Sequence, residues 1–329
     1  MDANQFSIKA AQSLIKQEIA DLQMGKMPAE LYDPLYYIMA LGGKRMRPLL
    51  TLLGSALYTP NWGKAIMPAL ASEVFHNFTL IHDDLMDNAS LRRGQPTVHV
   101  KWDLPTAVLS GDVMLVRAYE ILMQCPEKHL RILLQKFNQM AAGVCEGQQL
   151  DMIYSRMEQV SLPQYLHMIR LKTAILPAFC LEIGGILADV PAETYQKLHK
   201  IGIDLGLGFQ LMDDLLDVYG EPESFGKQVG GDILENKNTF LLIKAKQIAQ
   251  SYIAEELRYW LFATDYDPKA KVEAITNIYN FLNIKELTLK AIDQYFLDAL
   301  STLRSLEFAN EQVIKIFEDY LSVLWQRSY

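Results

Sequence analysis

The chain has 329 residues, is 50% hydrophobic, and carries a net charge of −8 from 31 Lys and Arg against 39 Asp and Glu. That balance argues against a nucleic-acid groove, which needs a basic stripe to displace counterions. A small anionic substrate stays possible if metal ions or a few local cations offset the repulsion.

The start, Met1-Asp2-Ala3-Asn4-Gln5, is polar and leads into an amphipathic stretch, Ser13 to Glu18, not a signal peptide. Gly42-Gly43-Lys44-Arg45-Met46-Arg47-Pro48 then opens a helix whose apolar stripe runs from Leu49 to Leu57. Asn61-Trp62-Gly63 reads as a loop, and Glu73 to His82 as an apolar helix that ends in aspartates. Arg93-Gly94-Gln95-Pro96 is a further loop, and Leu130 to Ala141 repeats the i, i+3, i+4 pattern. The longest apolar stretch, Thr173 to Val190, is broken by Pro177, Glu182 and Gly184-Gly185, so it reads as a buried helix and not a membrane span. Helical periodicity returns from Leu205 to Asp217, breaks at Gly220 to Ser224, and resumes at Glu255–Leu261 and Glu311–Trp325. No regular alternation suggests a sheet. The chain is expected to be all-α, with roughly ten or more helices of about 12 residues each. No linker appears, so residues 1–329 are expected to form one domain. Cys125, Cys145 and Cys180 lack metal or redox spacing and fit reduced core thiols of a cytoplasmic protein.

Two acidic motifs carry the chemistry. Asp83-Asp84-Leu85-Met86-Asp87 follows an apolar helix, and Asp83 and Asp87 lie one turn apart on a face that His76 shares. Asp213-Asp214-Leu215-Leu216-Asp217 repeats the pattern, with Gln210 one turn before it. Like charges at this spacing destabilise a helix, and buried carboxylates need a partner. Hard oxygen ligands with spare coordination positions suit Mg²⁺, which keeps waters and accepts phosphate oxygens. One such triplet alone reads equally well as a solvated helix face. Two copies, neither mixed with lysine or glutamate, do not.

Cations accompany them. Lys44 and Arg47 are three apart beside a helix N-terminus and so can face one anion. Arg92-Arg93 follows the first motif; its bland reading is an ordinary ion pair. Lys172-Thr173 sits in an apolar helix, where a snorkelling lysine is the alternative. The stretch Phe225 to Thr239 is glycine-rich, and its Lys227 and Lys237 can reach an anion held by metal.

In order and spacing, these segments resemble the trans-polyprenyl diphosphate synthase family, which includes farnesyl and geranylgeranyl diphosphate synthases. The resemblance runs from about Gly42 to Lys244 and also uses Gly147-Gln148-Gln149-Leu150-Asp151 and Gly226-Lys227 with Gly230, Asp232, Lys237 and Thr239. It implies a single bundle of mostly antiparallel helices around a central cavity, usually a homodimer. It implies three Mg²⁺ held by Asp83, Asp87 and Asp213, with Asp84, Asp214 and Asp217 in support. Arg92, Lys172, Gln210, Lys227 and Lys237 would bind an allylic diphosphate, whether dimethylallyl, geranyl or farnesyl. Lys44, Arg47, His76 and Arg93 would bind isopentenyl diphosphate. Thr173 and Gln210 would line the place where positive charge develops, and Gly226–Gly231 would close the site against water. Phe78 and Thr79 would limit product length to geranylgeranyl or farnesyl diphosphate. Class I terpene cyclases and catalytically silent synthase subunits are the rival readings. Asn238 and Phe240-Leu241 depart from the family's usual Leu-Pro around Thr239, and no basic tail follows Trp325.

Overall fold

The computed structural model describes residues 6–220 and 230–325, and these are almost entirely α-helical. By their contacts they fall into two compact units, whose boundaries along the chain lie within five of the described helices.

The first unit takes Met1–Asn138, Leu176–His199 and Leu303–Tyr320. It holds α1 (Ile8–Asp21), α2 (Ala29–Ala40), α3 (Met46–Ala56), α4 (Ile66–Met86), a two-stranded hairpin, the short α5 (Val98–Lys101) and α6 (Leu104–Leu122). It also takes the start of α7 (Glu127–Tyr154), most of α9 (Ile175–Leu187) and the start of α10 (Ala192–Tyr219). Side-chain caps set several of the starts. Ser7 accepts from the Ala10 amide and Asp103 from the Thr106 amide, satisfying donors that the first turn leaves unpaired. Small residues then let backbones touch. A Cβ on Gly54 would lie 2.6 Å from the Leu181 carbonyl oxygen, and one on Gly184 would lie 2.3 Å from that of Thr51, so α3 and α9 pack main chain to main chain. Phe75, Tyr119, Phe137 and Phe179 form an edge-to-face aromatic core beside them, with Phe78 tilted against Phe75.

The second unit takes Gln139–Ile175, Lys200–Thr302 and Leu321–Tyr329. Here α8 (Leu162–Ile169) begins at a reciprocal capping box between Ser161 and Gln164. A π-helical turn, Arg170–Ala174, follows it. After the end of α10 come α11 (Gly231–Leu234), α12 (Phe240–Ile248), α13 (Ser251–Phe262), α14 (Pro268–Phe281) and α15 (Ile284–Arg304). Trp325, near the end of α16 (Glu311–Trp325), stacks on Phe296 at 5.7 Å and donates to Asp293.

Four local readings change. Trp62–Ala65 is a 3-10 turn where a loop was expected, and Leu91–Arg92 pairs with Gln95–Pro96 where no strand was. Lys172-Thr173 lies in the π turn and not in regular α-helix. Cys145 is exposed; only Cys125 and Cys180 are core thiols.

Candidate active site

The expected site residues fall into two groups, one in each unit. In the first unit, α4 runs to Met86 and Asp87 caps it. Asp84 is buried, and Arg92 grips both its oxygens: Nε donates to Oδ2 at 2.8 Å and Nη2 to Oδ1 at 2.7 Å. The ion pair weighed as the bland reading of Arg92 is therefore present. Asp83 is half-buried and Asp87 exposed. The hairpin delivers Arg92 because its two-residue turn, Arg93-Gly94, has φ of 53° and 74°, the positive values a tight hairpin requires. Thr97 ties the returning strand to the end of α4 by donating its hydroxyl to the Ala89 carbonyl at 2.7 Å.

The same hairpin meets the turn before α3. Arg93 donates to the Gly42 carbonyl, and its guanidinium covers Gly43, where a Cβ would lie 2.8 Å from it. Arg45 precedes α3 in the left-handed conformation, pairs with Glu73 at 2.5 Å and donates to the Met39 carbonyl. The helix starts only at Met46, so Lys44 is an exposed loop residue and the helical spacing argument does not reach it. His76 lies in the field of these cations. Burial, then Arg47, Arg93, Arg92 and Arg45, hold its pKa well below the ordinary histidine value, so the ring is neutral. Arg93 is itself lowered, by burial and then by Arg45 and Arg92. Burial and neighbouring cations thus disfavour the charged form of Arg93 and of His76, and a bound anion would favour it.

Phe78 is buried one turn before His82, edge-on to it at 4.8 Å and tilted against Phe75 at 5.4 Å. Thr79 donates its hydroxyl back into its own helix, to the His76 carbonyl. Gly111 on α6 leaves room for the His82 ring, 2.2 Å from where a Cβ would stand.

In the second unit a hollow of about 40 Å³ gathers Asp151, Tyr165, Lys172, Thr173, Gln210, Asp214 and Lys237. The π turn puts Lys172 and Thr173 there, and two glycines press on it. A Cβ on Gly147 would lie 2.2 Å from the Lys172 amide nitrogen, and one on Gly206 2.4 Å from Cα of Ala174. Lys172 reaches Asp151 at 2.5 Å. Asp214 is buried and accepts from the Tyr165 hydroxyl and, at 3.0 Å, from Gln210 Nε2. Gln210 Oε1 accepts from the Thr173 hydroxyl at 2.9 Å. In the protein alone, burial and then Asp232 push Asp214 up to about 6, against the lowering pull of Lys237, Tyr165 and Gln210. Burial opposes the charge of Lys237, but Asp232, Asp214 and Asp151 outweigh it and raise its pKa. Asp217 accepts the Asp232 amide at 2.9 Å, and its carbonyl accepts that of Gly230, which fixes the return of the chain into α11. Gly230 has φ of 88° and packs on Val272, so a bulky residue there would strain the fold before it tested closure. Gly226 and Lys227 lie outside the described residues.

Each unit offers a half-buried carboxylate of the hard-oxygen type that fits Mg²⁺, Asp83 in the first and Asp213 in the second, and among the described residues no three His, Cys, Asp or Glu converge to hold a metal unaided. Mg²⁺ prefers one or two carboxylates with waters and substrate phosphates to an all-protein cage. Sequence reading missed Tyr165 and the Arg45–Glu73 pair. Neither belongs to a spaced motif; Tyr165 is marked only by its place one turn after a helix cap.

A family model described as polyprenyl synthetase matches residues 28–279. The chain belongs to the polyprenyl synthetase family. Within that family, a geranylgeranyl diphosphate synthase of Methanosarcina mazei is 34% identical over 293 residues, 87% of this chain and 88% of that protein. A crystal structure of a geranylgeranyl pyrophosphate synthase matches with a TM-score of 0.93 at 40% identity, covering 98% of this chain and 99% of that one. The polyprenyl synthase from Caulobacter crescentus CB15, crystallised with calcium and isoprenyl diphosphate, gives 0.85 at 28% identity, covering 98% and 96%. The all-α polyprenyl synthetase fold expected from the sequence is borne out.

Proposed function

We propose that the chain condenses isopentenyl diphosphate with an allylic diphosphate and releases diphosphate, giving geranylgeranyl diphosphate, with farnesyl diphosphate the shorter alternative. Relatives across most of the chain carry the name geranylgeranyl diphosphate synthase. The observation that carries the reading is the cluster of Arg45, Arg47, Arg92 and Arg93 around a neutral His76. A condensing enzyme handles two diphosphates at once, whereas a terpene cyclase handles one, so this cluster is surplus to a cyclase. The proposal treats residues 1–329 as one catalytic domain, acting as a cytoplasmic homodimer. Among the described residues no helix is long and apolar enough to cross a membrane.

Mg²⁺ on Asp83, Asp87 and Asp213 would supply Lewis-acid stabilisation of the leaving diphosphate. Lys172, Lys237 and Lys227 would hold that group as its allylic C–O bond ionises. Arg47, Arg93, His76 and Lys44 would hold isopentenyl diphosphate, so that its double bond meets the cation already oriented. The released diphosphate would take the proton. Phe78 would end chain growth, and Phe78→Ala should lengthen the product; an unchanged product length removes it from that role.

The test mixes purified protein, Mg²⁺, isopentenyl diphosphate and each of dimethylallyl, geranyl and farnesyl diphosphate. The reading predicts a geranylgeranyl product. A cyclic hydrocarbon from the allylic substrate alone would point to a cyclase, and no turnover until a second subunit is added would point to a silent partner.

A further inference from the structure

The second unit carries another hollow, of about 600 Å³, that none of the aspartates or lysines assigned above lines. Of its residues, only Ser155 and Asn238 also border the smaller hollow. Its walls are one face of α13, one face of α12 and residues 155–160 between α7 and α8. On α13 that face is Ala254, Leu257, Arg258, Leu261 and Phe262, at i, i+3, i+4, i+7 and i+8. Ile243 of α12, Leu257 and Val160 are buried, whereas Met157 and Phe262 are exposed. Asn238, one of the departures from the family's usual sequence, is buried and fastens this wall. Its Nδ2 donates to the Tyr154 and Met157 carbonyls, both at 3.0 Å.

Three cations line this hollow, Arg156, Lys246 and Arg258, against the single carboxylate of Glu158, which leaves two positive charges. Lys246 donates to the Glu158 carbonyl at 2.9 Å and to Asn238 Oδ1 at 3.1 Å, so one of its three N–H groups remains for a further acceptor. Burial lowers its pKa, against the raising pull of Glu158, and a bound anion would favour its charge. Among the described residues no carboxylate pairs with Arg156 or Arg258. Behind the wall, buried Lys271 donates to Asn236 Oδ1 at 2.7 Å, and Asn236 lines the hollow. Either arginine alone reads as an ordinary solvated side chain. Grouped with Lys246 around aliphatic walls, in a protein of net charge −8, they do not.

We propose that this hollow is a second ligand site, which takes a small amphiphile with a phosphate head and a single apolar chain. Its size and its mixture of apolar walls with a few polar groups are those of a small-molecule site. The two uncompensated positive charges match a phosphate monoester, which carries a charge of about −1.5 to −2 near pH 7. Arg258 and Phe262 stand one turn apart on the same face, so the head and the start of the chain meet neighbouring side chains. The inference does not rest on prenyl transfer.

The experiment follows the Met157 methyl resonance in the full chain labelled with ¹³C-methyl methionine and assigned through Met157→Leu. Octyl phosphate, octanol or inorganic phosphate is titrated in, without metal or substrate. The Met157 signal should move with octyl phosphate and saturate. Octanol, which lacks the head, and inorganic phosphate, which lacks the chain, should each bind at least about tenfold more weakly. Lys246→Gln should weaken octyl phosphate binding about tenfold, the loss of one charged hydrogen bond. Arg258→Gln, at an exposed position, should show a similar loss and serves if Lys246→Gln does not fold. Mg²⁺ with inorganic diphosphate, which would fill the proposed catalytic site, should leave the affinity for octyl phosphate unchanged. An unmoved Met157 signal, equal affinity for octanol or for inorganic phosphate, wild-type affinity in Arg258→Gln, or displacement by diphosphate would each overturn the inference. So would a shift given by phosphatidic acid vesicles and not by free octyl phosphate, since the occupant would then be a bilayer surface. Failure of the wild-type protein to make a prenyl product would sink the proposed function and leave this site standing.

Discussion

In the first acidic motif the middle aspartate, Asp84, is clamped by the Arg92 guanidinium through two bonds; in the second, Asp214 is held by a tyrosine hydroxyl and a glutamine amide. Both are buried, at 2% and 3% exposure. What differs is the partner. Asp84 has a guanidinium on both oxygens, whereas burial and then Asp232 push Asp214 up to about 6, so that it takes up a proton more readily, against the lowering pull of Lys237, Tyr165 and Gln210. One sequence pattern thus serves two electrostatic settings, and the outer residues, a hairpin arginine and a helix tyrosine, decide which.

The comparison breaks most visibly at Arg92. Arg92→Gln leaves Asp84 buried without its counter-charge and should destabilise the protein by about 3 kcal/mol. Urea unfolding checks this, and the Asp84→Asn/Arg92→Gln double variant should recover much of the loss. Equal stability of Arg92→Gln and wild type would mean that the pair is dispensable.

The backbones beneath the two motifs invite a second contrast. The hairpin depends on turn geometry, and the π turn on close approach to Gly147. Gly147→Ala would drive a methyl into the Lys172 backbone, which cannot swing aside, and should cost about 2 kcal/mol. Gly94 meets nothing within 4 Å but has φ of 74°, so Gly94→Ala should cost about 1 kcal/mol from strain alone. Thermal melts of the two variants would rank them, and the reverse order would contradict the packing account.

The smallest effect is a slope. Asp214 has a folded pKa above its ordinary 3.8, so between 3.8 and about 6 the native state holds a proton that the unfolded chain has lost. Stability of the metal-free protein should therefore fall, through this group, as pH rises across that window. Asp214→Asn should flatten that part of the pH–stability curve, measured with a chelator present. An identical slope in the variant would remove Asp214 as its source.

Much of this was legible in the chain itself. The helical class followed from periodicity, and the helix from Glu311 to Trp325 appears with those bounds. The acidic motifs and their cations were visible because their spacing is local. The roles of the outer residues were not, since Tyr165 meets Asp214 across 49 positions and Arg45 meets Glu73 across 28. Two-residue strands leave no alternation to read, and a π turn has no composition of its own. The hairpin around Gly94 and the turn at Lys172 therefore emerged only from the fold.

The central claim is that Arg93, whose charge burial and its arginine neighbours disfavour, stands with a neutral His76 in a diphosphate site. Titrating isopentenyl diphosphate into metal-free protein, by calorimetry, tests it most directly. Wild type should bind one equivalent, and Arg93→Gln should bind about tenfold more weakly, the loss of one charged hydrogen bond. Equal affinity in the two proteins, or no binding by wild type, would contradict the account.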